Sequence, residues 1–474
     1  MITLKTPYVI NQGSHASRLV FPFVDGNAEK ALWFETSRDY AEYLCAERGD
    51  AILVGILQYA MITGQNIVSE VPITTDLLHN LEMMYIPALA NNSEIYERVH
   101  IQAPQAKNIK EEISSCAEAV ATGCSCGVDS FYTIANNINN PYEGFKLTHL
   151  FVTDVGAFSD TFEDIAAEAV YEETVRKAEA VAKDLDLRLI ATKSNYFELF
   201  DQNFLYTCTF ANMFAIFCLQ KLFKVYYFSS SVQFQHFELD NVNDIPSQHY
   251  DLLTAFCFSS DFFKIIPEGS QVTRFEKTSF IKNFMPAQKH LQVCSKTMHN
   301  CGECHKCKRT LLDLDANDAL ENFKQVFDLQ KYEKNKKAFY QELLVQQESK
   351  FTRQAKRIIA KRTGGNVSSV KKTGWLKKDG KIFFLLGDGT LAKGNFYQLN
   401  TQWYYFDADG IMATGLKDIN GINYYFSYDG GLKTGFRLVN GKPYHFELDG
   451  KGSPRGWINT SSQNNEIGRA SCRE

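Results

Sequence analysis

The residues best suited to chemistry in this chain are Ser125-Cys126-Gly127-Val128-Asp129-Ser130. They follow a run of small and apolar residues, Ala119-Val120-Ala121-Thr122, and precede a helix expected to begin at Ser130. A turn of small residues between a strand and a helix aims several backbone N–H groups at one spot. The helix N-terminus adds partial positive charge there, which makes a nest for phosphate or pyrophosphate. No lysine follows, so this is not the G-x-x-x-x-G-K-[ST] loop. The alternative reading is a Ser/Gly turn with a helix cap.

A second cluster lies downstream, where Cys294 is followed by Cys301-Gly302-Glu303-Cys304-His305-Lys306-Cys307. Two-residue gaps let one tight turn aim successive sulfurs at a single tetrahedral ion, and thiolates at about 2.3 Å are a common zinc shell. Four thiolates leave no position open for water, so zinc here would be structural. His299 and His305 are alternative ligands, read as neighbours because four thiols are present. Between the two clusters, Arg274 and Lys277 are candidates for stabilising charge on a departing pyrophosphate. The alternative for them is a solvated, salt-bridged helix start.

These groups need elements to hold them. From Ala119 onward the sequence alternates strand-like and helix-like pieces. Strands are expected at 148–153, 187–191 and 225–228, and helices at 161–184 and 204–223. Such alternation implies a parallel sheet covered by helices, with ligands beyond the carboxyl ends of the strands. Asp154, Asn195 and Ser230 stand at those ends and are candidates to contact adenine. Residues 1–118 read as a separate α+β domain, with strands at 19–24 and 31–36 and a helix at 50–62, capped by Asp50 and stopped by Gly64. The fold class expected is α/β, a doubly wound parallel sheet over 119–312, with a C-terminal β-hairpin solenoid.

The loop resembles the S-G-G-x-D-S motif of the PP-loop ATP pyrophosphatases. Ser125, Gly127, Asp129 and Ser130 match it, and Cys126 stands at its first glycine. With the four cysteines downstream, the chain over 119–312 resembles 7-cyano-7-deazaguanine synthase and its relatives. The resemblance implies an adenine nucleotide alpha hydrolase-like fold. It also implies ATP as substrate, Mg2+ held with the help of Asp129, release of AMP and pyrophosphate, and Zn2+ in the thiol cluster. The deazaguanine substrate is not carried over, because the gap after Cys294 is short and the N-terminal region has no counterpart in that family.

Residues 313–372 are expected to be a helical, basic linker. A helix is read over 317–347, with Leu320, Phe323, Val326 and Phe327 as its apolar stripe. The basic stretch runs through Arg353, Lys361, Lys371 and Lys372, and a solvated helix end is preferred there over nucleic-acid contact. Over 373–465 a repeat appears. Glycines recur at 374, 394, 415, 435 and 456, with aromatic clusters in phase. Each unit reads as a hairpin that cannot bury its aromatics alone, so neighbours must stack. The pattern resembles the cell-wall-binding repeats of Gram-positive surface proteins, of choline-binding and glucan-binding type. Candidate ligand-binding aromatics are Trp375, Trp403, Tyr404, Tyr424, Tyr444 and Trp457, and a carbohydrate surface or a worn scaffold is favoured over choline. Aromatics that serve only as solenoid core are the alternative. Residues 466–474 resemble a translated sequencing adaptor and are set aside.

The chain has 474 residues, a net charge of -5 and twelve cysteines, four of them clustered. Its length asks for several domains. The cysteine usage is that of a metal site in a reducing compartment rather than a disulfide framework. No secretory layout opens the sequence and no apolar run is long enough to span a membrane. Two functions follow as expectations. One is a cytoplasmic AMP-forming ligase or amidating enzyme acting on an unknown small acid or nucleobase-like acceptor, with a wall-binding tail and with oligomerisation open. The other is a non-catalytic wall- or glucan-binding surface protein with a degenerate nucleotide domain.

Overall fold

The computed structural model describes residues 1–113, 116–158, 166–200, 204–239, 242, 245–294, 296–345, 352–363, 374–378, 380–386, 390–399, 402–427, 430–439, 442–446 and 452–454. Lys371, Lys372, Trp457 and the segment 466–474 lie outside the described residues.

The front of the chain begins with β1 (Ile2–Leu4), β2 (Tyr8–Gln12), β3 (Ala16–Asp25) and β4 (Ala28–Ser37). β3 and β4 form a ten-pair hairpin closed by Gly26-Asn27, with Gly26 at φ 62, the sign a two-residue turn needs at its first position. Helix α1 (Asp50–Thr63) follows, then β5 (Ile67–Ser69) and β6 (Ile101–Gln102). α1 is apolar nearly all round and is accordingly buried. Its Gly55 lies so close to Phe214 that a Cβ would sit 3.0 Å from the ring. Gly64 ends the helix in the left-handed region, as the sequence implied. Asp50 is not its cap: Gly49 holds that position. The Asp50 carboxylate is buried and accepts bonds from the Thr74 backbone N–H and hydroxyl instead.

Next come β7 (Ala119–Gly123), α2 (Val128–Asn137), β8 (His149–Asp154), α3 (Ala167–Leu185), β9 (Arg188–Ser194), α4 (Phe204–Cys218), β10 (Phe223–Ser229), α5 (Asp251–Phe258) and β11 (Lys264–Glu268). All eleven strands join one sheet, in the order β11-β10-β7-β8-β9-β4-β3-β1-β5-β6, with β2 on β3. β7 to β11 are mutually parallel. The sheet is continuous because β9 pairs antiparallel with β4, so the N-terminal strands extend the parallel sheet. Helices cover both faces. Val120, Leu150, Val152 and Val225 point to the side of α2 and α3. Ala119, Ala121, Phe151 and Ile190 point to the side of α1 and α4. This is the period-2 alternation of strands buried on both faces.

The sequence then runs through α6 (Arg274–Ile281), α7 (His305–Ala316), α8 (Leu329–Val345) and α9 (Arg353–Arg362). The continuous helix expected over 317–347 is broken. Asn317 ends α7, Asp318 takes φ 54, and a short 3₁₀ turn precedes α8. Phe323, Phe327, Tyr332, Phe339 and Ile359 share one buried cluster with Val128 and Phe131 of α2. The stretch read as a linker therefore packs, through residue 362, on the module that carries the loop.

The C-terminal region is a series of antiparallel hairpins: Gly374–Lys378 with Lys381–Leu385, Asn395–Leu399 with Gln402–Phe406, Gly415–Ile419 with Ile422–Phe426, and Gly435–Val439 with Lys442–Phe446. Neighbours pack through aromatic rings. Trp375 of the first meets Tyr404 of the second at 4.8 Å, and Phe396 of the second meets Tyr424 of the third at 4.9 Å.

Candidate functional site

In the parallel half of the sheet, β7 lies between β8 and β10. The chain proceeds from β7 outward through β8 and β9 on one side and returns to β10 and β11 on the other. Such a reversal opens a crevice at the carboxyl ends of the strands, where ligands bind in sheets of this kind. The loop after β7 is residues 124–127, so the motif picked out by its chemistry sits at that crevice. Helix α2 starts at Val128, two residues earlier than expected, with Gly127 as cap and no side chain capping it. Its first-turn N–H groups are therefore available to an anion.

Cys126 takes φ 56, the conformation that glycine adopts freely. Its thiol is buried beneath the loop, with Sγ 4.0 Å from Cys124 Sγ. The glycine position is thus met by a cysteine whose side chain turns into the core, leaving the approach to the backbone open.

Asp129 points across the cleft. Its Oδ2 accepts a hydrogen bond from Arg274 Nη1 at 2.9 Å and its Oδ1 one from Lys277 Nζ at 2.8 Å. Lys277 also donates to the Ser230 carbonyl at 2.6 Å and is 3% exposed as a side chain. Both cations come from α6, which Thr273 and Glu276 start with a reciprocal capping box. Three residues apart, they share a face. Gly269 gives the lysine its path: a Cβ there would lie 2.9 Å from Lys277 Nζ. Burial pushes the Asp129 carboxyl up, and Arg274 and Lys277 outweigh it, holding the group below its ordinary value.

The cleft has a volume of about 700 Å³ and is also lined by Lys177, Lys306 and Arg309. The sequence reading missed these three. Lys306 and Arg309 sit one turn apart on α7, on either side of Cys307, and that spacing was the available signal. Burial, then the neighbouring Arg274, brings Arg309 down to about 10, and burial, then Arg309, lowers Lys306. Crowded cations of this kind are relieved by an anion.

Of the strand-end candidates, none lines the cleft. Asn195 is spent on structure: it donates to the Ala31 carbonyl and accepts from the Trp33 N–H, tying β9 to β4. Asp154 accepts from the Gly156 N–H, and burial raises it. The Ser230 hydroxyl turns back to Val232, while Ser229 and Ser231 on either side face the cleft. The alternation of an extended chain explains that miss.

The four cysteines converge. Their sulfurs all lie within 4.8 Å of one another, with Cys294 to Cys304 and Cys301 to Cys307 each at 3.9 Å. A tetrahedral shell with zinc–sulfur distances of about 2.3 Å sets its sulfurs about 3.8 Å apart, so the group fits. Backbone N–H groups of Lys296, Glu303, Cys304 and Cys307 point at the sulfurs, an outer shell suited to thiolate charge. The cluster also supports the loop. Just before it, the Gln292 N–H donates to the Cys126 carbonyl at 2.8 Å, and Cys304 caps α7.

In the repeats, Tyr424 is buried, and Trp375, Tyr404 and Tyr444 pack against neighbouring rings. Trp403 stands out at 44% exposure.

Residues 395–412 match the family model of the choline-binding type of cell wall binding repeat, which is the second hairpin and the turn after it. No curated protein matches the chain. Among solved structures, the chain is similar to CbpJ of Streptococcus pneumoniae, at 29% identity over 17% of this chain and 28% of that one, with a TM-score of 0.16. It is similar to choline binding protein F of the same organism, at 28% identity over 17% and 28% of the two chains and a TM-score of 0.16. A truncated alternansucrase of Leuconostoc mesenteroides shares 30% identity over 17% of this chain and 7% of that one, again at 0.16. The chain spans 28% or less of these proteins' own length. The C-terminal region thus carries a cell wall binding repeat. No helix of the described residues is long and apolar enough to cross a membrane.

The buried charges make a direct prediction. Asp129→Asn strands two cations and should cost about 3 kcal/mol in denaturant unfolding at pH 7. Because the folded carboxyl is depressed, its contribution is present above the unfolded value of about 3.9 and lost as pH falls through the folded one. The wild-type chain should therefore lose stability more steeply than the variant below about pH 4.

Proposed function

We propose that the chain is a wall-binding protein whose repeats hold it to cell-wall carbohydrate. The observation that carries this reading is the repeat match at 395–412, in register with hairpins that stack their aromatics. One solved relative, choline binding protein F, was crystallised in the presence of a peptidoglycan analogue. In this reading the protein works at the cell surface, which the repeat match supports. Carbohydrate contacts favour flat, exposed aromatic faces, and Trp403 offers one.

A second reading concerns the front module and rests on one observation: a loop of open N–H groups at the sheet's reversal point, faced by Lys177, Arg274, Lys277, Lys306 and Arg309. That charge suits a polyphosphate. In this reading the loop and the start of α2 hold the phosphates of ATP. Arg274 and Lys277 turn from Asp129 toward the departing pyrophosphate, whose growing charge they stabilise. The walls of the cleft exclude water from the activated acceptor. The chemistry supplied by ATP is adenylation of a carboxylate or amide oxygen, from which a nitrogen or sulfur nucleophile displaces AMP. The four thiols would hold Zn2+ as a structural ion. Mg2+ fits less well: each Asp129 oxygen already accepts a charge-assisted bond, and no step here runs through magnesium.

Three tests follow. The full chain should co-sediment with purified Gram-positive cell walls, and Trp403→Ala should lower retention several-fold. Elution by soluble glycan supports the carbohydrate reading, whereas elution by choline alone moves the ligand to choline, and no retention ends the proposal. The full chain should also bind ATP or pyrophosphate, with Lys277→Met weakening it by about ten-fold or more, a typical loss for one buried charge-assisted contact. Absence of both nucleotide binding and ATP–pyrophosphate exchange across carboxylic acids would leave the front module a scaffold. Finally, elemental analysis should find one zinc per chain, and Cys304→Ser should abolish it and lower thermal stability. A zinc-free chain of unchanged stability would remove the metal from the account.

A further inference from the structure

The cleft is longer than the phosphate loop requires. Beyond Ser229 it is lined by Cys208 and Asn212 of α4, by Gln248 and Asp251, and by the rings of Tyr226 and Phe228. Most polar groups in this far part are already engaged. Gln248 Oε1 accepts from the Ser231 hydroxyl at 2.8 Å, and Asn212 Nδ2 donates to the Cys208 carbonyl at 2.6 Å. Asp251 differs. It is 4% exposed, and its Oδ1 accepts from the Thr209 hydroxyl at 2.8 Å. Its Oδ2 has no hydrogen-bond partner among the described residues. A carboxyl group with an unsatisfied oxygen is expensive to bury unless a partner arrives to meet it.

The geometry points to Asp251 as the recognition residue of a second subsite, which takes a cationic or N–H-donating nitrogen group through its unpartnered Oδ2. None of the described side chains supplies that donor, and the place is assigned to a ligand. Two features select nitrogen. A carboxylate without a neighbouring cation gains most from a charged donor. The rings of Tyr226 and Phe228 line the same cleft, and aromatic faces favour a cation or a planar nitrogen ring. The subsite lies in the same cleft as the phosphate loop, so, resting on the nucleotide reading above, it would hold the nitrogen partner of the activated acceptor. That nitrogen has two sources: a free amine, or the N–H edge of a ring.

The protonation state agrees with the geometry. Burial pushes the Asp251 carboxyl up to about 8, against the pull of the Thr209 hydroxyl. At neutral pH the free protein therefore keeps this group mostly protonated, and a cation would displace the proton. The titratable groups that face it are Cys208, raised to about 11 by burial, and Tyr85, raised by burial as well, so both stay neutral. His236 lines the same cleft.

The test is calorimetry on the full chain at pH 7 with two probes, ammonium and benzamidinium, in the presence of pyrophosphate. At least one probe should bind, releasing about one proton per site, read from the heats in two buffers of different ionisation enthalpy. Ammonium binding assigns the subsite to a free amine, and benzamidinium binding assigns it to a ring edge. Asp251→Asn should weaken the probe by about ten-fold or more while pyrophosphate binds within about two-fold of wild type. Failure of both probes to bind the wild-type chain overturns the subsite, as does binding with no proton release. Equal binding to wild type and Asp251→Asn overturns it too. The proton release is read on the wild type and so decides even if the variant does not fold. Asp251-dependent probe binding without any pyrophosphate binding leaves the subsite standing and removes the nucleotide reading alone.

Discussion

The front module depends on one buried ion cluster, Asp129 with Arg274 and Lys277. It joins three elements: the first turn of α2, the first turns of α6, and the end of β10 through the Ser230 carbonyl. Taking these charges out of water is costly, and the bonds recover that cost only because each carboxylate oxygen has its own donor. The arrangement is nonetheless unbalanced. One carboxylate holds two cations while Lys306 and Arg309 line the same cleft, and burial, then the neighbouring Arg274, lowers Arg309 to about 10. A fold with no use for an anion here would gain by losing one of these side chains. Keeping them together raises the potential at the loop, where open N–H groups add to it.

Two supports hold the loop in place, and they come from opposite ends of the module. The sheet supplies the first: β7 lies between parallel neighbours, so the position at which the loop leaves it is fixed on both sides. The cysteine cluster supplies the second. The segment leading into Cys294 bonds the loop's own carbonyl at Cys126, and α7 departs from Cys304 carrying Lys306 and Arg309 into the cleft. An ion in that shell would therefore act at a distance, by setting the direction of a helix that carries charge. The third partner in this core is the pair α8 and α9, whose Tyr332, Phe339 and Ile359 close the same cluster that α2 begins.

What could be read from the sequence follows the range of the interactions involved. Local signals were legible. The loop, the C-x2-C-x2-C turn, the αL stop at Gly64 and the 20-residue spacing of the hairpins each depend on neighbours in sequence. Long-range consequences were not. Nothing near β4 says that it will pair with β9, so the N-terminal strands looked like a separate domain. Asp50 looked like a cap because its partner Thr74 lies 24 residues away. Asn195 looked like a ligand-facing polar end because its true partners, Ala31 and Trp33, come from the far side of that same junction. The basic stretch over 350–372 looked like a solvated helix end because its apolar residues are spaced among lysines and arginines, and only the packed core shows that Ala355 and Ile359 are buried in it. Arg274 and Lys277 were legible as a pair of cations, but their ion-pair partner Asp129 was not, because it lies 145 and 148 residues distant.

The tail obeys a simpler rule that also limits what it can bind. A single two-stranded hairpin is at best marginally stable in water. Each unit must therefore give its aromatic rings to its neighbour, as Trp375 does to Tyr404 and Phe396 to Tyr424. Rings committed to the stack are withdrawn from solvent, which is why Tyr424 and Phe426 are buried while Trp403, on the outside of its hairpin, is not. The same residues cannot serve fully as core and as binding face. Stability thus leaves each unit little exposed aromatic surface, and a single unit can grip a ligand only weakly. Repetition compensates, because a polymer such as a wall glycan presents its own repeat to successive units, and linked weak contacts gain from the high effective concentration of the next site. On the proposed function, the aromatic spacing that folds the tail is therefore also the spacing it offers to an extended ligand.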